Sequence, residues 1–425
     1  MTEAVPAHAA PAGTHRFVAL GLLFLVYAFN FIDRQILGIL VPAIKADLHF
    51  TDTELGWLGG PAFAIFYTAL GVPIAWLADR SSRTWIMTGA LVVWSAFTAA
   101  CGYAGNFAQL FLARLGVGVG EAGGVAPAYS LISDYFPPRE RARALAVYSF
   151  GIPIGSAAGI LIGGLIASRL DWRIAFIAVG IAGVALAPIF RLLVREPMRG
   201  RHDSKPAAGA KASVWDTARL LAGKPSYWLL SFGAASSSIM GYGLFFWMPS
   251  FLVRSFGFDV AQVSIYYGAL LLIGGVAGVW LGGVLADKMG ASKRSRYALI
   301  PAAAFLLALP CYVAGLVSSS PVSAFLLFLA PTALGLVWLG PVINAVQHLA
   351  PAHMRATASA LFLFINNLIG LGLGSLLIGA LSDALTAQFG DEALRYSILA
   401  GTGFYVIAAL LMLAASRALA RDWCD

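Results

Sequence analysis

The chain has 425 residues, of which 60% are hydrophobic and only 11% are charged, and its formal net charge is +8. A soluble domain carries about 25% charged residues, so this composition excludes an ordinary soluble enzyme or nucleic-acid-binding domain. Apolar runs of at least about 18 residues recur along the sequence, and each is long enough to cross a bilayer core of about 30 Å as a helix.

These apolar runs predict twelve transmembrane helices. A transmembrane β-barrel is disfavoured because its strands would alternate in hydrophobicity over segments of about ten residues. We therefore predict an all-α polytopic membrane protein. The predicted spans lie at residues 17–43, 55–78, 84–103, 107–133, 142–168, 174–194, 226–253, 261–286, 296–317, 321–347, 356–381 and 394–416.

One long polar connection, residues 195–225, divides the predicted spans into two sets of six. It is rich in Pro, Gly, Lys and Arg, as a loop outside the membrane would be. We expect an N-terminal six-helix bundle at 17–194 and a C-terminal six-helix bundle at 226–416. The predicted tails are residues 1–16 and 417–425.

Two short loops of the first half recur in the second half. Residues 75–82, after the second predicted span, resemble residues 283–290 after the eighth, and residues 137–144 resemble residues 351–358. Matched loops at equivalent places indicate two related, pseudo-symmetric bundles. Transporters built in this way bind substrate between the halves, near the middle of the membrane, and rock one half against the other.

Most of the 28 Lys and Arg residues fall on the side of the membrane that carries the N-terminus. This bias predicts that both tails are cytoplasmic, by the positive-inside rule, and we expect a bacterial inner-membrane location. Residues 1–15 lack the basic start of a signal peptide. Cys101, Cys311 and Cys424 have neither disulfide nor metal-ligand spacing, so we predict no cofactor and no metal.

Four charged side chains interrupt the predicted spans at mid-membrane depth: Asp33 and Arg34 in the first span, and Arg114 and Glu121 in the fourth. A charge at the bilayer centre costs roughly 2.5–3.5 kcal/mol on insertion scales. Ion pairs that only hold helices together are one explanation, but buried pairs contribute weakly to stability. A coupled site for protons and an anionic substrate explains all four charges.

Arg114 and Glu121 are seven residues apart, or two helical turns, so they lie on the same face. Pairing of Asp33 with Arg114 and pairing of Arg34 with Glu121 are both geometrically possible. A carboxylate that loses its arginine partner takes up a proton more readily. We therefore assign the proton step to Glu121 and Asp33, and contact with a charged headgroup to Arg114 first and Arg34 second.

The second half has no charge at this depth and offers aromatic and amide side chains instead. In each case packing in the bundle core is the simpler explanation. Together, however, an apolar half that faces a charged half suits an amphipathic substrate. The candidate substrate-binding residues of the second half are Tyr242, Trp247, Tyr267, Trp338, Asn344 and Asn366.

The repeated loops predict a cytoplasmic gate. Asp79 could cap a helix of the opposite half near Ala356, where a carboxylate meets free amides, and Arg80 or Arg83 could pair with Asp134. The alternative is simple anchoring of basic residues at the membrane surface. The candidate gate residues are Asp79, Arg80, Arg83, Asp134, Asp287 and Arg355.

Residues 118–123 spell the dinucleotide-binding pattern G-x-G-x-x-G. That fingerprint requires a preceding strand and a helix N-terminus, whereas these glycines lie within a predicted spanning helix. The chain has no Walker loop, so ATP-driven pumping is also disfavoured.

The loop motif at 75–83 and its second copy at 283–290 resemble those of the major facilitator superfamily, which implies twelve spans in two bundles. A narrower resemblance to the Spinster family rests on residues 30–35, 51–58 and 71–83 and on the spacing of Arg114 and Glu121. It implies a bacterial relative of lysophospholipid and sphingosine-1-phosphate exporters, with proton coupling.

We therefore expect a proton-coupled secondary transporter that moves an amphipathic anion such as a lysophospholipid or sphingoid phosphate. The alternative is a proton-linked carrier of a small water-soluble organic anion or drug. An intramembrane enzyme is disfavoured because no nucleophile and base stand on facing predicted helices. A channel is disfavoured because the core of the second half is uncharged. We expect the protein to act as a monomer in the lipid bilayer, without nucleic acid.

Overall fold

The computed structural model describes residues 13–202, 214–285, 288, 293–351 and 354–424. Within these ranges the first half of the chain forms helices α1 (Gly13–Leu48), α2 (Asp52–Gly59), α3 (Pro61–Ala78), α4 (Arg83–Cys101), α5 (Phe107–Glu121), α6 (Val125–Tyr135), α7 (Pro138–Ser149), α8 (Gly151–Arg169) and α9 (Trp172–Leu193). The second half forms α10 (Val214–Ala222), α11 (Pro225–Phe256), α12 (Val260–Leu285), α13 (Arg296–Val317), α14 (Pro321–Leu334), α15 (Leu339–His348), α16 (Arg355–Asn366), α17 (Gly372–Phe389), α18 (Ala393–Gly401) and α19 (Gly403–Asp422).

The twelve predicted spans can all be placed on these helices, because several spans consist of two consecutive helices separated by a short break. Ten stretches of the described chain are long and apolar enough to cross a membrane. The fourth span is missing from that set because residues 122–124 divide it into α5 and α6. The eleventh and twelfth spans are counted together, since residues 357–422 form one long apolar stretch. The fold is an all-α bundle of two six-helix halves.

The joints follow the local sequence. Pro61 opens α3 directly after Gly60, which suits proline because the first residue of a helix needs no hydrogen-bonded N–H. A π-helical turn, Asn367–Leu371, joins α16 to α17, and such turns are frequent at functional sites. The break of the second span, at Gly60, and the π-helical turn of the eleventh span belong to neighbouring segments, because this turn packs against α3 as well as α11.

The most extensive contacts between the two halves are those of α8 with α12, α2 with α17 and α1 with α11, and α3 also packs against α17 and the π-helical turn. The described chain starts and ends on the same side of the bundle, which we call the terminal side. The opposite side, which carries residues 49–51 and 390–392, is the far side. Many large apolar side chains stay exposed on the bundle, among them Trp76 (57%) and Leu307 (62%), as expected for surfaces that face lipid.

Candidate functional site

The four charged residues that interrupt the first and fourth spans meet in the interior of the first half. The Nε atom of Arg34 on α1 donates a hydrogen bond to Oε2 of Glu121 at 2.8 Å. The Glu121 side chain is fully buried and that of Arg34 is 11% exposed. Of the two pairings that the sequence allowed, the structure therefore contains the one between Arg34 and Glu121.

Aromatic rings surround the Arg34 guanidinium. Its central carbon lies 5.0 Å from the ring centre of Phe31, 4.9 Å from that of Phe63 and 4.6 Å from that of Tyr67. A cation held over ring faces is attracted by their negative potential. These three rings were not identified from the sequence, since aromatic residues are common in any membrane bundle.

Arg114 occupies a different position from Arg34. Its guanidinium lies 5.4 Å from the Phe63 ring centre, and its Nε donates a long hydrogen bond of 3.4 Å to the Leu58 carbonyl. Among the described residues no carboxylate forms an ion pair with Arg114. Arg114 is 2% exposed, so its positive charge is buried with no described carboxylate paired to it. This is the arrangement expected of a residue that binds an anionic group.

Asp33, the neighbour of Arg34, points away from that arginine. Its side chain is 1% exposed, and neither carboxylate oxygen has a hydrogen-bond partner among the described residues. Arg114 and Glu121 lie within electrostatic range of it. The other pairing that the sequence allowed, that of Asp33 with Arg114, is therefore absent as a direct contact.

Two adjoining cavities lie at the interface of the halves. The first, which we call the charged cavity, has Arg34, Arg114 and Gln35 among its lining residues. The second, the apolar cavity, is the larger of the two and is built almost entirely from the second half. The side chains that line both cavities are Phe31, Tyr242 and Phe245.

The predicted residues of the second half divide between these cavities and the protein core. Tyr267 and Trp338 line the apolar cavity, and Tyr242 lines both cavities. Trp247 does not reach either one, because it is fully buried and its indole N–H donates to the Ser375 carbonyl at 2.8 Å. Serine, threonine and further tyrosine side chains of the apolar cavity were not identified from the sequence: Ser237, Ser238, Tyr312, Thr332 and Tyr405.

The two predicted asparagines also lie outside the cavity walls. Asn366 is 3% exposed and accepts a hydrogen bond of 2.9 Å from the Ser238 hydroxyl. Ser238, and not Asn366 itself, lines the apolar cavity. Asn344 is partly buried, and its side-chain oxygen has no hydrogen-bond partner among the described residues.

An ion pair on the far side joins the two halves. Arg254, at the end of α11, donates two hydrogen bonds of 2.6 and 2.7 Å to the Asp52 carboxylate at the start of α2. Lys45 and the Ser382 hydroxyl also donate to Asp52, which is 1% exposed. We call this group of four residues the far-side latch.

A second carboxylate strengthens the far-side closure. Asp383 on α17 accepts hydrogen bonds from the backbone N–H groups of Asp52 and Thr53 at 3.1 and 2.7 Å, and from the Thr53 hydroxyl. These N–H groups belong to the first turn of α2, where a carboxylate meets free amides and the positive end of the helix dipole. A helix of one half is thus capped by an acid of the other.

The predicted gate residue Arg83 lies on the terminal side and pairs with Asp134. This resolves the choice between Arg80 and Arg83. Arg83 is 1% exposed and also donates to Glu196 at 2.6 Å and to the Ser130 hydroxyl at 2.8 Å. All of these residues belong to the first half and to the segment that follows α9.

Glu196 caps α4 and was not identified from the sequence. It accepts hydrogen bonds from the Thr84 backbone N–H and the Ser82 hydroxyl, both at 3.0 Å. Burial alone would raise the pKa of this carboxyl, but the Thr84 N–H and the Arg83 guanidinium outweigh it and lower the pKa. Arg199, also unforeseen, donates to the Ala78 carbonyl at 2.6 Å, near the end of α3.

The remaining predicted gate residues lie apart from one another. Asp79 ends α3, and its backbone carbonyl accepts a hydrogen bond from Arg199. Arg80 lies over the Trp76 ring at 4.0 Å, and Arg355 contacts His348 of its own half at 3.4 Å. Asp287 lies outside the described residues. A capping contact between Asp79 and the helix near Ala356 stays a prediction for the opposite conformation.

Contacts between the two halves therefore close the far side, whereas each described cluster of charged residues on the terminal side lies within one half. Within the described residues no group of three or more His, Cys, Asp and Glu side chains could hold a metal ion. Two six-helix halves, closed at one end around a charged and an apolar cavity, define a multi-pass membrane transporter of small molecules. The chain belongs to the Major Facilitator Superfamily, whose family model matches residues 23–371, and within it to the Spinster family.

The chain is similar to transporters of several kinds. It is 36% identical over 423 residues to an MFS-type efflux pump of Mycolicibacterium smegmatis, covering 98% of this chain and 96% of that protein. It is 30% identical over 307 residues to the hexuronate transporter of Bacillus subtilis, covering 70% of this chain and 72% of that protein. It is 29% identical over 392 residues to human protein spinster homolog 1, covering 86% of this chain and 73% of that protein.

A solved structure matches nearly the whole chain. It is a crystal structure of a bacterial homologue of the human lysosomal transporter Spinster, in an inward-facing and unoccupied conformation. The TM-score is 0.88 at 31% sequence identity, and the match covers 98% of this chain and 100% of that one. The members of this superfamily are transporters, and the chain is accordingly a transporter and not an enzyme.

Proposed function

We propose that the protein is a proton-coupled carrier of an amphipathic anion, such as a lysophospholipid or a sphingoid phosphate. The observation that carries this proposal is the junction of the two cavities. The charged cavity is lined by the guanidiniums of Arg34 and Arg114, and the apolar cavity beyond Phe31, Tyr242 and Phe245 has a mostly hydrocarbon wall. A substrate with an anionic head and an apolar tail fits both at once, and the similarity to Spinster supports this substrate class.

The two arginines have different tasks in this proposal. Arg114 has no ion pair among the described residues, so an anionic headgroup can bind it without displacing a protein carboxylate. Arg34 is already paired with Glu121, so a headgroup that also reaches Arg34 must compete with that carboxylate. A carboxylate released from its guanidinium takes up a proton more readily. Headgroup binding and protonation of Glu121 are thereby linked.

The side on which the chain begins and ends is proposed to be cytoplasmic. Most of the 28 Lys and Arg residues lie there, in agreement with the positive-inside rule. In that orientation the far-side latch closes the outer end of the carrier. We propose that the protein works as a monomer in the inner membrane, because both cavities are complete within one chain.

Transport by purified protein in proteoliposomes tests this proposal. We expect uptake of fluorescent lysophosphatidylglycerol to depend on a pH gradient, and Glu121→Gln to abolish that pH dependence while the protein remains folded. Glu140→Gln is the matched control, because Glu140 forms a surface ion pair with Arg16 in which both side chains are about one-third exposed. Unaltered pH dependence in Glu121→Gln would refute the proton role of this residue.

A small organic anion is the second candidate substrate, because the chain is 30% identical to a hexuronate transporter. The same proteoliposomes distinguish the two when they are given radiolabelled glucuronate. Uptake of glucuronate without uptake of the lysolipid would favour this second candidate. Uptake of the lysolipid alone would exclude it.

A further inference from the structure

Gly241 lies where α11 borders the apolar cavity. The residues of this helix that line the cavity recur every three or four positions, as residues on one helix face do, and they include Ser237, Gly241, Leu244, Phe245 and Met248. From position 237 to position 248 a helix rises by roughly 16 Å. This face therefore follows the cavity over roughly half the thickness of a bilayer core, and Gly241 lies in its interior.

The glycine at position 241 is not explained by the packing of α11. Glycine inside a helix is unfavourable relative to alanine, because it loses more conformational freedom on folding. The other two glycines of α11 are closely packed, since an added Cβ would lie 3.0 Å from Met412 Cε at Gly233 and 2.4 Å from Ile378 Cδ1 at Gly243. At Gly241 an added Cβ would have no described atom within 4 Å, and the φ angle is not positive.

A second glycine of the apolar cavity, Gly335 after α14, has a different surrounding. An added Cβ there would lie 3.1 Å from the Pro331 carbonyl oxygen and 3.2 Å from the Tyr405 hydroxyl oxygen. Tight packing around Gly335 accounts for the absence of a side chain. Of the two glycines that line this cavity, Gly241 is thus the one whose missing side chain leaves space for a bound molecule.

Aromatic side chains of other helices make much of the cavity wall rigid. Tyr312 on α13 and Tyr405 on α19 both line the apolar cavity, and their rings stack with 5.7 Å between the ring centres. Tyr405 also stacks on Phe305 at 5.5 Å. Tyr312 and Tyr405 are 5% and 2% exposed, so close packing holds both rings in place. A side chain added at Gly241 would therefore take space from a bound molecule instead of moving this wall.

We propose that Gly241 is a specificity-determining residue, which keeps the apolar cavity open for the end of a long hydrocarbon tail. The inference rests on the proposed function, in which the headgroup binds Arg114 and the tail passes Phe31, Tyr242 and Phe245 into the apolar cavity. The space beside Gly241 then sets the length of tail that the carrier accepts. Because Gly241 does not line the charged cavity, a larger residue here should leave headgroup binding intact and exclude long tails first.

Competitive uptake by the full-length protein in proteoliposomes tests this inference. The vesicles receive an equimolar mixture of lauroyl, myristoyl, palmitoyl and stearoyl lysophosphatidylglycerol, and mass spectrometry measures how much of each is taken up. One methylene more or less in a hydrophobic pocket changes selectivity by about 10-fold or more. We expect Gly241→Leu to lower the uptake of the longest tail that the wild type carries, relative to the lauroyl form, by at least about 10-fold. This ratio does not depend on the amount of folded protein.

Two further variants complete the test. Gly241→Ala should shift the ratio in the same direction by about 4-fold, the effect of one buried methylene. Gly89→Leu is the matched control, because Gly89 lies inside α4, lines neither cavity and has no described atom within 4 Å of an added Cβ; it should keep the wild-type ratio. A wild-type ratio in Gly241→Leu, or an equal loss of all four tails, would overturn the inference. If Gly241→Leu does not fold, a wild-type ratio in Gly241→Ala would do so.

The same assay separates this inference from the proposed function. If the wild type takes up none of the four lysolipids, the proposed function fails and the role of Gly241 fails with it. If the wild type takes them up and Gly241→Leu keeps the wild-type preference, only the role of Gly241 fails.

Discussion

The far-side latch predicts that a single amide substitution will change the balance between the two conformations of the carrier. Asp52→Asn keeps the volume of the side chain but removes the charge that Arg254 and Lys45 contact. Truncating one partner of a buried, hydrogen-bonded charge pair costs about 2–5 kcal/mol. Because Arg254 and Lys45 are 20% and 37% exposed, we take the lower end, about 2 kcal/mol.

The substitution destabilises the conformation in which the far side is closed, because Arg254 and Asp52 belong to different halves and separate when the far side opens. A change of about 2 kcal/mol corresponds to a roughly 30-fold change in the ratio of closed to open molecules. A carrier that is closed and open in a ratio of roughly 100 to 1 would therefore become roughly 3 to 1.

Electron–electron distance measurements between spin labels at positions 46 and 387 can detect this shift. Ala46 and Ala387 are exposed residues on the far side, one in each half, and the labels require that the three native cysteines be replaced. We expect Asp52→Asn to add a longer distance that is weak in the wild type. Asp47→Asn is the control, because Asp47 pairs with Arg173 of its own half. A distance distribution identical to that of this control would refute the reasoning.

Two further predictions concern the ends of the bundle. Gly379→Ala should also open the far side, because an added Cβ would lie 2.3 Å from the Asp52 carbonyl oxygen. The same pair of spin labels measures this opening. Gly283→Ala is the control, because a Cβ at that position would have no atom within 4 Å. Glu196→Gln should lower the melting temperature at pH 7 by about 1–2 °C, the effect of about 1 kcal/mol on a chain of this length. Since the folded-state pKa of Glu196 is lowered, its stabilisation is present above the pKa of the unfolded chain and is lost as pH falls through the folded-state value. The variant should therefore show a smaller loss of melting temperature on acidification, and equal slopes would contradict this.

The helical fold could be predicted from the sequence because each span is recognisable by its length and hydropathy. The buried charges could be found for the same reason, since Asp33, Arg34, Arg114 and Glu121 contrast with apolar surroundings. The sequence did not determine which carboxylate pairs with which arginine. Successive residues on a helix point about 100° apart, so either Asp33 or Arg34 could have faced the fourth span, and only the rotation of α1 against its neighbours decides it.

The far-side latch shows a different limit. Asp52 and Asp383 are separated by 331 positions, and their contact depends on how α2 of one half meets α17 of the other. In the sequence, Asp52 looks like an ordinary acidic residue in the first turn of a helix. The available signal was the capping box of Thr51 and Glu54, which indicates where α2 starts but not which helix of the other half contacts it. Trp247 illustrates the same limit, because its burial depends on the packing of α11 against α17.

The positions of the charges explain how binding in one half could control the movement of both. Among ion pairs between described residues, the one that joins the halves is that of Asp52 and Arg254 on the far side. The pair of Arg34 and Glu121 lies inside the first half, so a proton or a headgroup that breaks it does not itself separate the halves. Its influence must pass through the shared cavity wall, where Phe31 of α1 meets Tyr242 and Phe245 of α11. Because α11 continues from Tyr242 to Arg254 as one helix, a shift of that wall would act directly on the latch.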